Sequence, residues 1–264
     1  MPELDDALLE GKAVLVTGGT QGLGAAVAAA AVRNGADVVV TGRRPGVGER
    51  FAGDLAARSG RAVSYIQADA GNVAQNQAAV AMTVERLGRV DCLVNCAGLT
   101  TRGTMLDTTP QLFDEHVAVN LRGPFFLMQA AIKDMVARGE GGSIVNIITM
   151  AAHGGQPYLA PYVASKSGLV GLTRNAAFAH RWDRIRINGV NIGWTETEGE
   201  DATQRRFHGA GDDWLEKAAA SVPMGKLGQV DEIADFVVFL LSPRSGVVTG
   251  SVIDWDQIVP GAND

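Results

Sequence analysis

Thr17-Gly18-Gly19-Thr20-Gln21-Gly22-Leu23-Gly24 stands between the apolar run Lys12–Thr17 and the alanine-rich run Gly22–Arg33, and its reading decides the fold. β-Branched residues, then glycines, then helix formers mark a strand, a tight turn and a helix. The first N–H groups of such a helix form an anion site, and glycines let the backbone approach a pyrophosphate. Gly18, Gly22 and Gly24 shape this T-G-x-x-x-G-x-G turn. Thr20, Gln21 and Leu23 complete the surface it offers to a dinucleotide.

Outward from that turn the pattern repeats. Gly35 stops the first helix, and Asp37–Thr41 reads as a second strand. A helix near Gly46–Ser59, a strand at Arg61–Gln67, a helix at Asn72–Leu87 and a strand at Asp91–Asn95 follow. Two long helices are expected at Thr109–Val119 and Leu121–Ala137. Then come a strand at Gly142–Ile148, a helix at Ala160–Arg181 and a strand at Arg184–Val190. After an irregular stretch, Val230–Leu241 is helical and Ser251–Trp255 is the last strand. Seven continuous apolar strands separated by helices predict an α/β chain with a parallel sheet covered on both faces. No Pro- or Ser-rich linker, low-complexity tract or repeat interrupts residues 1–264, so one domain is expected.

Where a carboxylate would take the ribose hydroxyls of NAD, about 20 residues past the turn, this chain has Gly42-Arg43-Arg44. Nothing there repels a 2′-phosphate and two guanidiniums can bind one, which favours NADP while leaving NAD open.

Tyr162-Val163-Ala164-Ser165-Lys166 places a phenol and an ammonium one helical turn apart on the same face. A neighbouring ammonium favours the ionised phenol, whose unperturbed pKa is about 10. That makes a general base for a hydroxyl proton.

Composition narrows the rest. Hydrophobic residues make up 46% and charged residues 20%, as in ordinary globular domains. The net charge of −6, with only the short clusters Arg43-Arg44, Arg181–Arg186 and Arg205-Arg206, argues against a nucleic-acid partner. Cys92 and Cys96 are expected to be reduced packing residues, with no second pair to complete a zinc site, so no metal is expected. The first ten residues lack a basic n-region, and runs such as Ala25–Val32 fall short of a membrane span, so a cytoplasmic protein without a membrane partner is expected.

The glycine turn, Asp69, Asn95-Cys96-Ala97-Gly98, Asn120 and Tyr162-x-x-x-Lys166, in this order, resemble the short-chain dehydrogenase/reductase family from about Gly11 to Gly261. The resemblance implies a single Rossmann domain with sheet order 3-2-1-4-5-6-7 and a homotetramer. It implies Tyr162 as acid/base, Lys166 lowering its pKa and binding the nicotinamide ribose, and Asn120 anchoring a proton-relay water. Asp69 and Ala70 lie at the adenine position, and Asn95, Ala97 and Gly98 support the sheet and cofactor. Ile192, Gly193, Thr195 and Thr197 correspond to the nicotinamide end, although Asn191-Ile192-Gly193 replaces the usual Pro-Gly. The family serine aligns with Thr149, which keeps the hydroxyl and adds a methyl group. Phe125–Met128 and Ala164–Phe178 suit an interface between copies.

The substrate pocket is expected from Thr100–Thr104, Ala151–Pro161 and a mobile loop around 194–220. Thr100, Arg102, His153, Gln156, Tyr158, Trp194, Glu196 and Glu198 occur there, joined by Thr149 and Tyr162. Such a set hydrogen-bonds several hydroxyls at once, and tryptophan beside carboxylates grips sugars. The Trp194-to-Glu200 run and Asp254-Trp255-Asp256-Gln257 resemble bacterial carbohydrate dehydrogenases. An NAD(P)-dependent oxidoreductase acting on an aldose or polyol is the expectation. A 3-oxoacyl thioester or ketone reductase, or a nucleotide sensor without catalysis, remain the alternatives.

Overall fold

The computed structural model describes residues 7–261. Seven parallel strands, β1 (Ala13–Thr17), β2 (Asp37–Gly42), β3 (Val63–Gln67), β4 (Cys92–Asn95), β5 (Gly142–Ile147), β6 (Ile185–Ile192) and β7 (Val252–Trp255), form one sheet in the order β3-β2-β1-β4-β5-β6-β7. Strand order reverses between β1 and β4, which opens a crevice at their C-terminal ends. The expected architecture is the observed one.

Alternate residues of each strand face opposite layers. Val14, Val16, Val38 and Val40 pack with helices α1 (Gly22–Arg33) and α9 (Val230–Leu241) on one face. Leu15, Val39, Leu93 and Ile144 pack on the other against α3 (Val73–Leu87), α5 (Gly123–Arg138) and α6 (Ala160–His180). Both faces are dry, so the strands read as unbroken apolar runs. Between β2 and β3, α2 (Pro45–Ser59) begins at a proline and stops at Gly60, in the left-handed region.

One polar thread crosses this interior. Asn95 and Asn146 are register partners on β4 and β5, and Asn95 Nδ2 donates to Asn146 Oδ1 at 2.8 Å. Asn146 Nδ2 then donates to Thr173 Oγ1 of α6 at 2.9 Å. All three residues are buried.

Two stretches differ from their sequence reading. The helices around Asn120 do not break: α4 (Pro110–Val117) runs through a π-turn at Ala118–Arg122 into α5. Residues 194–220, expected to be irregular, contain α7 (Glu198–His208) and α8 (Trp214–Ala220). Thr197 Oγ1 accepts from Glu200 N–H and caps α7. Acidic residues fill its first turn and Arg205, Arg206 and His208 its last, matching the helix dipole. Polar on all sides, α7 carries no apolar periodicity to betray it.

Candidate active site

The N-terminal turn has the shape of an anion cradle. Gly18 has φ +65°, a value costly for any residue with a Cβ. A Cβ on Gly24 would stand 2.3 Å from the Gly18 carbonyl oxygen. The N-cap of α1, Gln21, makes no side-chain cap, and no acidic residue occupies the first turn, so the first N–H groups stay available to an anion. Gln21 Oε1 instead accepts from Arg44, exposed beside exposed Arg43. Leu23 turns its side chain into the core and leaves only backbone to the turn. Gly42 lies so close to Thr20 that a Cβ there would meet the threonine hydroxyl at 2.9 Å.

Further along the crevice, Asp69 Oδ1 accepts from Gly71 N–H, and the Ala70 carbonyl from Asn76 Nδ2, at 2.8 Å each. Thr17 Oγ1 accepts from the N–H groups of Cys96 and Ala97, fixing the turn after β4. Asn95 Oδ1, buried in that turn, has no partner. An uncapped helix start, a glycine cradle and an orphaned buried acceptor fit a dinucleotide along these strand ends.

At the centre stand Asn120, Thr149, Tyr162 and Lys166, on the π-turn, at the end of β5 and on α6. Asn120 Oδ1 accepts from Leu99 N–H at 2.8 Å, while its Nδ2 donates to the Leu99 carbonyl at 2.9 Å and to Ser165 Oγ at 3.1 Å. His116 Nδ1 lies 3.2 Å from the same Nδ2, and His116 Nε2 lies 3.0 Å from the Thr101 carbonyl. The neutral ring protonated at Nε2 donates to the Thr101 carbonyl and leaves Nδ1 as one of three acceptors that share the two hydrogens of the Asn120 amide. Desolvation keeps the pKa of His116 low, against the pull of the Thr101 bond and Glu115.

Lys166 Nζ is buried and donates to the Ile147 carbonyl at 2.7 Å. Burial pushes its pKa down to about 8. It lies 6.0 Å from the centre of the Tyr162 ring. Burial pushes the Tyr162 hydroxyl up to about 12; hydrogen bonding to Thr149 and the positive charge of Arg102 oppose the shift, and Glu200 reinforces it. Lys166 and Tyr162 lie on one face of α6, as their one-turn spacing predicts.

A sequence model described as enoyl-(acyl carrier protein) reductase matches residues 18–257. The L-rhamnose 1-dehydrogenase (NAD(P)(+)) of Sphingomonas sp. (strain SKA58) is 34% identical over 249 residues, 93% of this chain and 95% of its own. The chain belongs to the short-chain dehydrogenase/reductase family. This short-chain dehydrogenase/reductase is also 29% identical to the sorbitol dehydrogenase of Cereibacter sphaeroides, over 94% of this chain and 97% of the other. A short-chain type dehydrogenase/reductase from Mycobacterium marinum matches its structure with a TM-score of 0.86 at 29% identity, covering 96% of this chain and 97% of the other. Its family is one of oxidoreductases that use NAD or NADP.

The expected substrate residues of this dehydrogenase/reductase divide. Trp194 Nε1 donates to Glu200 Oε1 at 2.8 Å, and its ring lies 6.3 Å from that of Trp214, so it packs with α7 and α8. Tyr158 lies under the Arg102 guanidinium, 5.4 Å from its ring centre. Thr100 is exposed, and its carbonyl accepts from Arg102. His153 is drawn to the last strand, with Nε2 2.8 Å from Asp254 Oδ1, which also accepts from Asn191. Gln156 lines a separate cavity of roughly 570 Å³ with Met105, Leu106, Val163 and Ala164. Ile192 pairs with Trp255, Gly193 lies against Asp256, and Thr195 Oγ1 donates to the Gly193 carbonyl at 2.9 Å. Thr197 Oγ1 is engaged as the α7 cap, with its methyl group near Gly22. His116 and Ser165 were not singled out from sequence: a lone histidine or serine on a helix carries no spacing signal, and only folding brings them to Asn120.

Proposed function

We propose that this enzyme oxidises a hydroxyl group of a sugar or polyol, as an aldose 1-dehydrogenase does. The observation that carries the reading is the proton-transfer set of Asn120, Thr149, Tyr162 and Lys166 lying beside a lid whose Trp194, Glu200 and Gln204 form one hydrogen-bonded group. Relatives named for rhamnose and sorbitol support it.

Gly18–Gly24 would hold the pyrophosphate, Asp69 and Ala70 the adenine, Asn95, Ala97, Gly98, Tyr162 and Lys166 the ribose side, and Ile192, Gly193, Thr195 and Thr197 the nicotinamide end. The absence of a carboxylate at Gly42, with Arg43 and Arg44 exposed beyond it, supports NADP over NAD. When bound, the nicotinamide takes up the hydride from the carbinol carbon. Tyr162 takes the hydroxyl proton, Thr149 hydrogen-bonds the substrate oxygen and Tyr162, Lys166 lowers the pKa of Tyr162 and binds the nicotinamide ribose, and Asn120 anchors a proton-relay water. Leaving as H⁺ and H⁻, the two hydrogens yield a lactone or ketone. In reverse, Tyr162 donates the proton.

Exposed Phe125 and Phe178 on α5 and α6 support an assembly of several copies, whereas Leu127 and Met128 belong to the core. Sedimentation tests that assembly. Among the described residues no helix is long and apolar enough to cross a membrane.

The decisive experiment follows nicotinamide absorbance with aldoses, polyols, ketones and acyl thioesters, using both nucleotides. Turnover of carbohydrates supports the reading. Turnover confined to ketones or acyl thioesters replaces it with a reductase.

A further inference from the structure

Arg102 leaves the loop after β4, whose Leu99 and Thr101 bond Asn120 and His116 at the centre of the site. Its guanidinium lies between lid and loop, 5.4 Å from the centre of the Tyr158 ring and 6.0 Å from that of Phe207. Nη1 donates to the Thr100 carbonyl at 3.1 Å, and Nη2 lies 3.2 Å from His208 Nε2. Nε, shielded from solvent, has no acceptor. Among the described residues no carboxylate pairs with Arg102, although Arg61, Arg89, Arg138 and Arg205 each hold one. Glu200, on α7, accepts at Oε1 from Trp194 and Gln204.

A guanidinium held by neutral groups and aromatic faces, with an unmatched N–H and no counter-ion, is prepared for an incoming anion. We propose that Arg102 determines specificity in this site and that the substrate is a carboxylate-bearing carbohydrate, a sugar acid whose carboxylate binds the guanidinium while another of its hydroxyls meets Tyr162. The proposal rests on the carbohydrate reading above and narrows it. A planar carboxylate matches the fork of one guanidinium. Glu200 supplies an acceptor for the remaining hydroxyls, so the site is polarised to match a molecule with an acid at one end and alcohols at the other.

The test compares matched pairs, an aldose with its uronic acid and a polyol with its aldonic acid, for the wild type, Arg102→Met and Arg102→Lys. Melting temperatures and circular dichroism identify variants that fail to fold. The wild type is expected to favour each acid over its neutral partner by about 10-fold or more in kcat/KM. Arg102→Met is expected to cost the acids about 10- to 100-fold more than their neutral partners, mainly through KM. Arg102→Lys, which keeps the charge and loses the fork, is expected to recover part of that loss. Neutral sugars preferred over acids, sugar phosphates preferred over carboxylates, or an equal loss on both members of a pair would overturn the proposal. The last result would make Arg102 a clasp for α7 and nothing more. Any of these leaves the carbohydrate reading standing; silence with every carbohydrate and turnover of ketones or acyl thioesters removes that reading as well.

Discussion

Asn120 and Leu99 bond one another in both directions, side-chain amide to backbone peptide, at 2.8 and 2.9 Å. A buried asparagine on the π-turn thereby imitates a strand neighbour for the loop after β4 and fixes where the crevice wall stands. Asn120→Leu leaves a partly buried N–H and C=O without partners, at about 1–3 kcal/mol each. A fall of several degrees in Tm together with loss of turnover is expected; an unchanged Tm would show the clamp to be dispensable.

Tyr162→Phe removes the only acid/base group assigned to the reaction. Turnover is expected to fall about 10²–10⁴-fold with the fold intact. Thr149→Val, which deletes the hydroxyl assigned to the substrate oxygen and the acceptor for Ala151 N–H at 3.2 Å, is expected to cost about 10-fold or more, and Thr149→Ser far less. Near-wild-type turnover by Tyr162→Phe would falsify the mechanism.

Oxidation needs the Tyr162 proton removed, and burial holds that proton up to about 12. The ionised fraction therefore rises about tenfold per pH unit through the neutral and alkaline range. For oxidation, kcat/KM is expected to climb with pH, whereas reduction, which uses the protonated phenol, stays level near neutrality. A pH-rate profile of oxidation already flat at neutral pH would contradict this.

Lys166 titrates at about 8 when folded, against an ordinary 10.5. Between these values the folded chain binds fewer protons than the unfolded one. The wild type therefore gains stability as pH rises through that window, by up to about 3 kcal/mol. Lys166→Met lacks the effect. Chemical denaturation of both proteins across the window checks it: a stability difference that does not vary with pH would mean the ammonium is not penalised by burial.

Arg43 and Arg44 have different expected roles. Arg43→Ala should weaken NADP about 10-fold or more while sparing NAD. Arg44 also bonds Gln21 at the start of α1, so Arg44→Ala should affect both nucleotides. Kd values by fluorescence titration separate the two, and an unchanged nucleotide preference in Arg43→Ala would end the 2′-phosphate argument.

Local chemistry made most of the fold legible. Glycines at Gly18–Gly24 and apolar runs such as Val14–Val16 announce strand, turn and helix within a few residues, and the structure moves their limits only slightly. The π-turn at Asn120 was not legible: two helices, Thr109–Val119 and Leu121–Ala137, were expected to part there, whereas the helix continues through Ala118–Arg122. Nor were α7 and α8, which are held by Thr197, by acidic and basic ends and by Trp214 Nε1 bonding Asp201. In the site, Tyr162, Lys166 and Asn120 were named from order and spacing. Which charges act on Tyr162 depends on distances between loops far apart in the chain, and these no spacing rule encodes. His153, for one, faces Asp254.

The thread from Asn95 through Asn146 to Thr173 bears on how this molecule assembles. Shifting β4 against β5 by one residue would leave buried amides without partners, so wrongly registered sheets are penalised most in the layer nearest the chemistry. Thr173 lies seven residues beyond Lys166 on the same helix. The contacts that fix the register of β4 and β5 thus also seat the helix that carries the phenol and the ammonium.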